Sequence, residues 1–260
     1  MDKSKIEHYG DELYNALITR TAVAPLTDRE ADITIEDAYQ IQQRMIQRRL
    51  DAGETIIGKK IGVTSKVVMD MLKVNQPDFG MMTSGMVFNE GESIDTSTMI
   101  APRAEAEVAF VLKSDLMGPG VTAADVLRAT DFVVPCFEIV DSRIQDWKIK
   151  IQDTVADNAS CGVLVLGGRR KSPADIDLAL AGMVLEKNGE IISTSTGAAV
   201  QGSPVNAVAW LANTLGNLGI GLKAGEVILS GPQSPLVPVK AGDSLVCTVG
   251  GLGGTSVRFI

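Results

Sequence analysis

Apolar residues recur at helical spacing through the first fifty positions, and this pattern predicts an N-terminal region of helices. Ile6 and Leu13 begin one apolar face. A second helix is expected to start after Thr34, because Asp37 stands three residues further on and completes a capping pattern. Gly53 is expected to stop that helix.

From residue 56 the pattern of apolar residues changes from one typical of helices to one typical of a strand. Residues 56–63, IIGKKIGV, are rich in β-branched side chains and predict a strand. Ser65 is expected to cap a short helix over residues 68–72. Residues 76–80, QPDFG, contain Pro, Asp and Gly and are expected to form a loop.

Strands dominate from about residue 98 onward. Two apolar runs, residues 104–112 and 133–140, flank a predicted helix over residues 122–129. Helices are also expected to begin at Ser172 and Ser203, with a hairpin over 183–193 and strands over 163–166, 227–230, 244–249 and 255–260. Strands and helices do not alternate regularly, so we expect one α+β domain over residues 1–260. Its parts would be a mainly helical region, 1–75, and a strand-rich metal-binding core, 76–260.

Three glutamates lie within the two long apolar runs. Glu105 and Glu107 stand two residues apart, which places them on the same face of a strand. Glu138 lies in a run that is apolar on both faces and is typical of a fully buried strand. Burying carboxylates without compensation costs several kcal/mol each. Three oxygen ligands therefore indicate a hard cation, Mg²⁺ or Mn²⁺, although a Glu-x-Glu pair on a solvated face is also common.

The composition narrows the function classes. The chain has 260 residues and a net charge of −8, which argues against nucleic-acid binding. Its one histidine, His8, is in the polar N-terminal segment, so catalytic triads and histidine-rich zinc sites are not expected. Three widely spaced cysteines in apolar surroundings are expected to be buried free thiols: Cys136, Cys161 and Cys247.

The sequence carries no apolar run of the length that spans a membrane, and its first residues do not resemble a signal peptide. We therefore expect a cytoplasmic protein with no membrane partner.

Lys60 is the best candidate for a cation that faces an anionic substrate. It alternates with Gly58 and Gly62 on one face of its strand, which leaves room for other groups to approach. The neighbouring Lys59 is expected to point to water. Asp78, in the predicted loop, is a candidate acid–base group, although aspartates in turns are usually structural.

Two polar segments follow Glu138. The charged run over residues 141–150 is expected to be a solvated loop. Residues 157–162, DNASCG, read as a turn ahead of a strand, where Ser160 or backbone N–H groups could hold a carboxylate.

Four segments resemble one enzyme family: GKKIGVTS from Gly58, QPDFG from Gln76, PRAEAE from Pro102 and DSRIQDWKIKIQDTVADNASCG from Asp141. They are similar to the 2-hydroxypenta-2,4-dienoate hydratases of the fumarylacetoacetate hydrolase superfamily, which act in meta-cleavage degradation of aromatic compounds. The resemblance runs essentially end to end.

The resemblance implies a mixed β-roll with helices packed outside. It implies a divalent metal on Glu105, Glu107 and Glu138, and catalytic roles for Lys60 and Asp78. It further suggests substrate-binding positions at Lys60, Leu72 and Ser160.

The implied reaction is hydration of 2-hydroxypenta-2,4-dienoate to 4-hydroxy-2-oxopentanoate by a hydro-lyase. The dienol would ketonise by protonation at C5, and water would then add at C4 with protonation at C3. A related decarboxylation of 4-oxalocrotonate, or a non-catalytic role as a partner subunit of that decarboxylase, remains an alternative. The family also implies a homo-oligomer and association with 4-oxalocrotonate decarboxylase.

Overall fold

The computed structural model describes residues 1–66, 69–70 and 73–260. Its N-terminal region is built on two long helices, α1 (Lys3–Thr19) and α3 (Ile35–Asp51), with the short α2 (Leu26–Arg29) between them. Ile6, Leu13, Ile41 and Met45 pack together in the core of this region. The predicted capping box of α3 is confirmed, because the Thr34 hydroxyl accepts from the backbone N–H of the third helical residue.

Eight of the described strands form one large mixed sheet. The strands are β1 (Ile56–Gly62), β2 (Asp78–Thr83), β3 (Val87–Asn89), β5 (Pro102–Leu112), β6 (Thr130–Asp141), β7 (Cys161–Leu166), β10 (Val227–Leu229) and β11 (Val237–Pro238). In spatial order the main path of the sheet is β2-β1-β10-β5-β6-β7-β3, and β11 pairs with β5. Strand β1, which lies within the mainly helical region of the sequence, is therefore part of this sheet, parallel to β10 and antiparallel to β2.

A second sheet of five described strands packs beside the first. Its strands are β4 (Ser93–Ile94), β8 (Gly182–Lys187), β9 (Glu190–Thr196), β12 (Ser244–Val249) and β13 (Gly253–Phe259). Their spatial order is β4-β13-β12-β8-β9. The apolar residues of this second sheet join those of β5 and β6 and of two helices, α4 (Ala123–Ala129) and α6 (Pro204–Gly216), in the main core. A further helix, α5 (Ile151–Ala156), packs with the N-terminal region.

The α+β prediction is confirmed, and most of the local predictions hold. Asn188 and Gly189 both have positive φ and connect β8 to β9, as the hairpin signal requires. The helix predicted to begin at Ser172 is wrong, because only a 3₁₀ turn, Pro173–Asp175, follows that residue. The expected short helix over residues 68–72 lies partly outside the described residues. Within the described part of the chain, no helix is long and apolar enough to cross a membrane.

Candidate active site

The three glutamates meet on neighbouring strands. Glu105 on β5 stands directly opposite Glu138 on β6, and Glu107 lies two residues further along β5 on the same face. Each residue offers a carboxylate oxygen, and these oxygens all lie within 4.8 Å of one another. The prediction that the two apolar runs are strands is confirmed, and their antiparallel register brings the carboxylates together.

These carboxylates are largely buried, and most of their oxygens lack a hydrogen-bond donor among the described residues. Glu107 and Glu138 are fully buried, and Glu105 is half-buried. One oxygen of Glu107 accepts from the Gly231 backbone N–H at 2.8 Å. The other Glu107 oxygen and both oxygens of Glu138 have no hydrogen-bond partner among the described residues. Burial and then the nearby Glu138 carboxylate raise the pKa of Glu105 to about 8 and raise the pKa of Glu107 well above its usual value.

This donor set fits a hard divalent cation. Buried oxygens that lack donors are costly, and a cation that binds them removes both the desolvation penalty and the mutual repulsion. Three carboxylates without nitrogen or sulfur ligands match the preference of Mg²⁺ or Mn²⁺. Glu105, Glu107 and Glu138 are therefore the residues that could hold such an ion.

The backbone conformation of Gly231 and the small space around it both favour glycine at this position. Its φ is +104°, a conformation that favours glycine, and its N–H holds Glu107. A Cβ at this position would lie 2.3 Å from the Thr64 Cγ2, so any larger residue would displace the segment. Sequence reasoning missed Gly231. The only local signal is its Ser-Gly-Pro context, which is typical of a turn.

Lys60 reaches the glutamates from a more distant strand, on the same face of the sheet. Its ammonium Nζ lies 3.1 Å from Glu138 Oε1, as an ion pair without hydrogen-bond geometry. Strands β1 and β6 are three steps apart in the sheet, roughly 14 Å if it were flat. Two side chains can meet over that span only because the sheet curls, and its concave face holds the site.

The charge state of Lys60 follows from its neighbours. The side chain is buried, and burial alone lowers the pKa of a lysine. The carboxylates of Glu138 and Asp78 outweigh that effect, so the pKa of Lys60 lies above its ordinary value. Lys60 therefore stands beside the carboxylates as an ammonium group, which can stabilise an anion.

Asp78 is close to Lys60, but its predicted loop is wrong. Asp78 is the first residue of β2, opposite Gly62 of β1, and is buried. A Cβ built on Gly62 would lie 2.3 Å from Asp78 Oδ1 and 3.5 Å from Lys60 Nζ, so the glycine leaves the space in which the two groups approach. Burial raises the pKa of Asp78, although Lys60 lowers it in part. A carboxyl shifted in this direction suits proton transfer near neutral pH.

Ser160 lies in a tight turn ahead of β7. Asn158, Ala159 and Ser160 all have φ values between 50° and 55°. The Asn158 side chain pairs with the backbone N–H and C=O of Met81, which fixes the turn against β2. The Ser160 hydroxyl is buried and lies 3.3 Å from Asp157 Oδ2. The structure thus brings Ser160 beside the strand that begins with Asp78.

A buried arginine holds this turn in place. Arg143 is fully buried, and its Nε donates to Asp157 Oδ1 at 2.5 Å. Its guanidinium also donates to the backbone carbonyls of Asp141, Cys161 and Asp157. The expected solvated loop over residues 141–150 is therefore wrong at its start, where Asp141 and Arg143 are buried. It is correct for the exposed residues further on.

We predict that Arg143→Met destabilises the protein by about 3–5 kcal/mol, because three buried carbonyls and one carboxylate lose their donor. Urea unfolding followed by circular dichroism measures this difference. Arg128→Met is the matched control, since the Arg128 side chain is 72% exposed. The control should stay within about 0.5 kcal/mol of the wild type. An Arg143 variant as stable as the control would contradict the prediction.

Lys59 is not exposed, contrary to expectation. Its side chain is buried and its Nζ lies 2.5 and 2.6 Å from the two oxygens of Glu226. Glu226 is distant in sequence, so no local pattern indicates the pair. Leu72, a predicted substrate-binding residue, lies outside the described residues. Its role stays a prediction.

The structure agrees with the predictions made for the histidine and for the three cysteines. His8 is exposed on α1, and the structure places it outside the carboxylate site. The three cysteines are buried and free, as predicted.

Comparisons with known proteins identify the family. The family model described as fumarylacetoacetate (FAA) hydrolase C-terminal matches residues 59–259. The chain therefore belongs to the fumarylacetoacetate hydrolase family, which confirms the resemblance seen in its motifs.

Two hydratases and one solved decarboxylase structure are among the proteins to which this chain is similar. A 2-hydroxypent-2,4-dienoate hydratase of Pseudomonas putida is 65% identical over 221 residues, covering 85% of this chain and 100% of the relative. A 2-hydroxyhexa-2,4-dienoate hydratase of Comamonas testosteroni is 57% identical over 260 residues, covering 99% and 98%. The solved structure of 4-oxalocrotonate decarboxylase from Pseudomonas putida G7, complexed with magnesium and adipate, matches with a TM-score of 0.97. It is 36% identical and covers 100% of this chain and 99% of its own.

Proposed function

We propose that this enzyme is a hydro-lyase that adds water to 2-hydroxypenta-2,4-dienoate and gives 4-hydroxy-2-oxopentanoate in the meta-cleavage pathway. The observation that carries the proposal is the cluster of Glu105, Glu107, Glu138, Lys60 and Asp78 on one concave sheet face. Identity to two hydratases is 57–65%, against 36% to the decarboxylase. This difference favours hydration over decarboxylation.

The proposed cofactor is Mg²⁺ or Mn²⁺ on Glu105, Glu107 and Glu138. The magnesium in the related decarboxylase structure supports this choice. Such an ion, when bound, supplies Lewis-acid polarisation of the substrate's C2 oxygen.

The residues around the cluster would move the protons. Ketonisation of the dienol places a proton on C5, and hydration places a hydroxyl on C4 and a proton on C3, so acid–base groups are needed near both carbons. Lys60, as an ammonium group, would donate a proton or hold the developing enolate charge. Asp78, with its raised pKa and an Oδ1 that is unpaired within the described residues, would accept and return protons. Ser160 would donate to the substrate carboxylate, and Leu72 would contact the carbon chain.

Assembly and location remain part of the proposal. A homo-oligomer, a complex with 4-oxalocrotonate decarboxylase and a cytoplasmic location are the expectations carried over from the sequence.

We predict that the purified enzyme with Mg²⁺ or Mn²⁺ converts 2-hydroxypenta-2,4-dienoate to 4-hydroxy-2-oxopentanoate. Loss of dienol absorbance and identification of the product by NMR measure this. A parallel reaction with 4-oxalocrotonate measures CO₂ release. CO₂ release without hydration of the dienoate would establish the decarboxylase instead, and no product from either substrate would favour a non-catalytic subunit.

A further inference from the structure

A cleft of about 470 Å³ opens beside Asp78. Its walls come from α3, from α5 and from the residues that precede β2. Ile35 and Tyr39 of α3 and Ile151 of α5 provide apolar surface on the described lining, and Pro77 adds to it. This size and lining are typical of a site for a small organic molecule.

The cleft and the proposed active site share Asp78. Asp78 lines the cleft and also approaches Lys60 through the space left by Gly62. Tyr39 lies close enough to Asp78 that burial and this carboxylate together raise the tyrosine pKa. A substrate whose carboxylate end lies at the glutamates and whose chain passes Lys60 and Asp78 would therefore place its far end in the cleft.

The cleft wall is held firmly. The Tyr39 ring stacks on Phe79 with centroids 4.4 Å apart and an interplanar angle of 14°. The buried Gln42 side chain donates to the carbonyls of Phe79 and Val155, at 2.9 and 3.1 Å, and thereby ties α3 to β2 and α5. A wall fixed in this way can discriminate between substituents by shape.

Charge at the inner end of the cleft favours an uncharged occupant. The charged residues on the described lining are Asp70, Lys73 and Asp78. Asp70 is exposed and paired with Lys66, and Lys73 is also exposed, so these two residues lie at the solvent side. Asp78 is the buried charged residue of this lining, and a substituent carboxylate beside it would face a like charge, whereas an apolar substituent would not.

We propose that this cleft receives the C5 end of the substrate and that Ile35, Tyr39 and Ile151 determine which C5 substituents are accepted. The accepted class is hydrogen or a short alkyl group, and a carboxylate is disfavoured. This inference rests on the proposed function, since it assumes a 2-hydroxydienoate whose carboxylate end lies at the glutamates.

Two substitutions at Ile151 test the proposal in opposite directions. Wild type, Ile151→Phe and Ile151→Ala are assayed with 2-hydroxypenta-, 2-hydroxyhexa- and 2-hydroxyhepta-2,4-dienoate. The quantity compared is the ratio of kcat/KM for the heptadienoate to that for the pentadienoate, which does not depend on the amount of active enzyme. Ile151→Phe should lower this ratio about tenfold or more, and Ile151→Ala should raise it, because one methylene in an apolar pocket changes kcat/KM by about 10–200-fold.

The matched control is Ile176→Phe. Ile176 lines a separate and smaller cleft of about 240 Å³, so its substitution should leave the ratio within about twofold of the wild type. Ratios that do not change in either Ile151 variant, in an enzyme whose wild type hydrates the pentadienoate, would overturn the cleft assignment alone. A wild type that hydrates none of the three dienoates would overturn the proposed function and this inference together.

Discussion

Glu107→Gln is expected to reduce metal-dependent hydration by roughly 10³-fold or more while the protein stays folded. The substitution keeps the size of the side chain but removes one of the three charges that would hold the cation. Because Glu107 is fully buried and repelled by the other two carboxylates, its neutralisation should not lower stability when no metal is added. The metal-free variant should therefore melt at the wild-type temperature or slightly above it.

Thermal unfolding with and without Mn²⁺ separates metal loss from misfolding. A bound ion stabilises the folded state by mass action, so Mn²⁺ should raise the Tm of the wild type and have little effect on the variant. Glu190→Gln, at an exposed position on β9, is the matched control and should keep both the Mn²⁺ shift and the activity. Wild-type turnover by Glu107→Gln in the presence of a chelator would refute the metal site.

Local signals in the sequence predicted the elements that depend on local chemistry. The capping boxes at Thr34 and Thr122 involve side chains three residues apart, so the sequence contains both partners. Glu105 and Glu107 are likewise near neighbours, and strand periodicity alone places them on one face. Glu138 was predicted to be buried because both faces of its run are apolar, although nothing local gives its register against β5.

Apart from the helix predicted at Ser172, the wrong predictions concern side chains whose partners lie in other segments of the chain. Lys59 and Arg143 look like solvated charges in their own segments, but each is buried against an acid or carbonyl contributed by another part of the chain. Asp78 stands in a sequence that is typical of a turn, and pairing with β1 makes it a strand residue. Only the folded sheet brings such partners together, so periodicity and turn propensity could not reveal them.

The curled sheet explains why the site combines these groups. Carboxylates on β5 and β6 and the lysine on β1 lie on rigid strands, which hold side chains more precisely than loops. Gly62 and Gly231 leave space that a side chain would fill, beside Lys60 and Asp78 in the first case and at the N–H that holds Glu107 in the second. The carboxylates and the ammonium group are thus positioned before any substrate binds, which lowers the reorganisation that the proposed reaction needs.

Lys60→Met is expected to lower kcat for hydration by about 10²–10⁴-fold, the range associated with a positioned acid–base group. Methionine keeps the length and apolar stem of the side chain but removes the ammonium group that lies 3.1 Å from Glu138. Because a positive charge then no longer competes for that carboxylate, Mn²⁺ should bind the variant at least as tightly as the wild type. Calorimetric titration with Mn²⁺ and steady-state kinetics measure the two effects separately.

Lys59→Met provides the control on the same strand. Lys59 pairs with Glu226 away from the cluster, so its loss should lower stability while kcat per folded molecule stays within a few-fold of the wild type. Equal losses of kcat in the two variants would mean that both lysines act only by stabilising the folded strand. A loss of kcat confined to Lys60→Met, with Mn²⁺ still bound, would instead assign proton transfer or charge stabilisation to Lys60. In that variant the metal site would be intact, and the only missing group would be the ammonium.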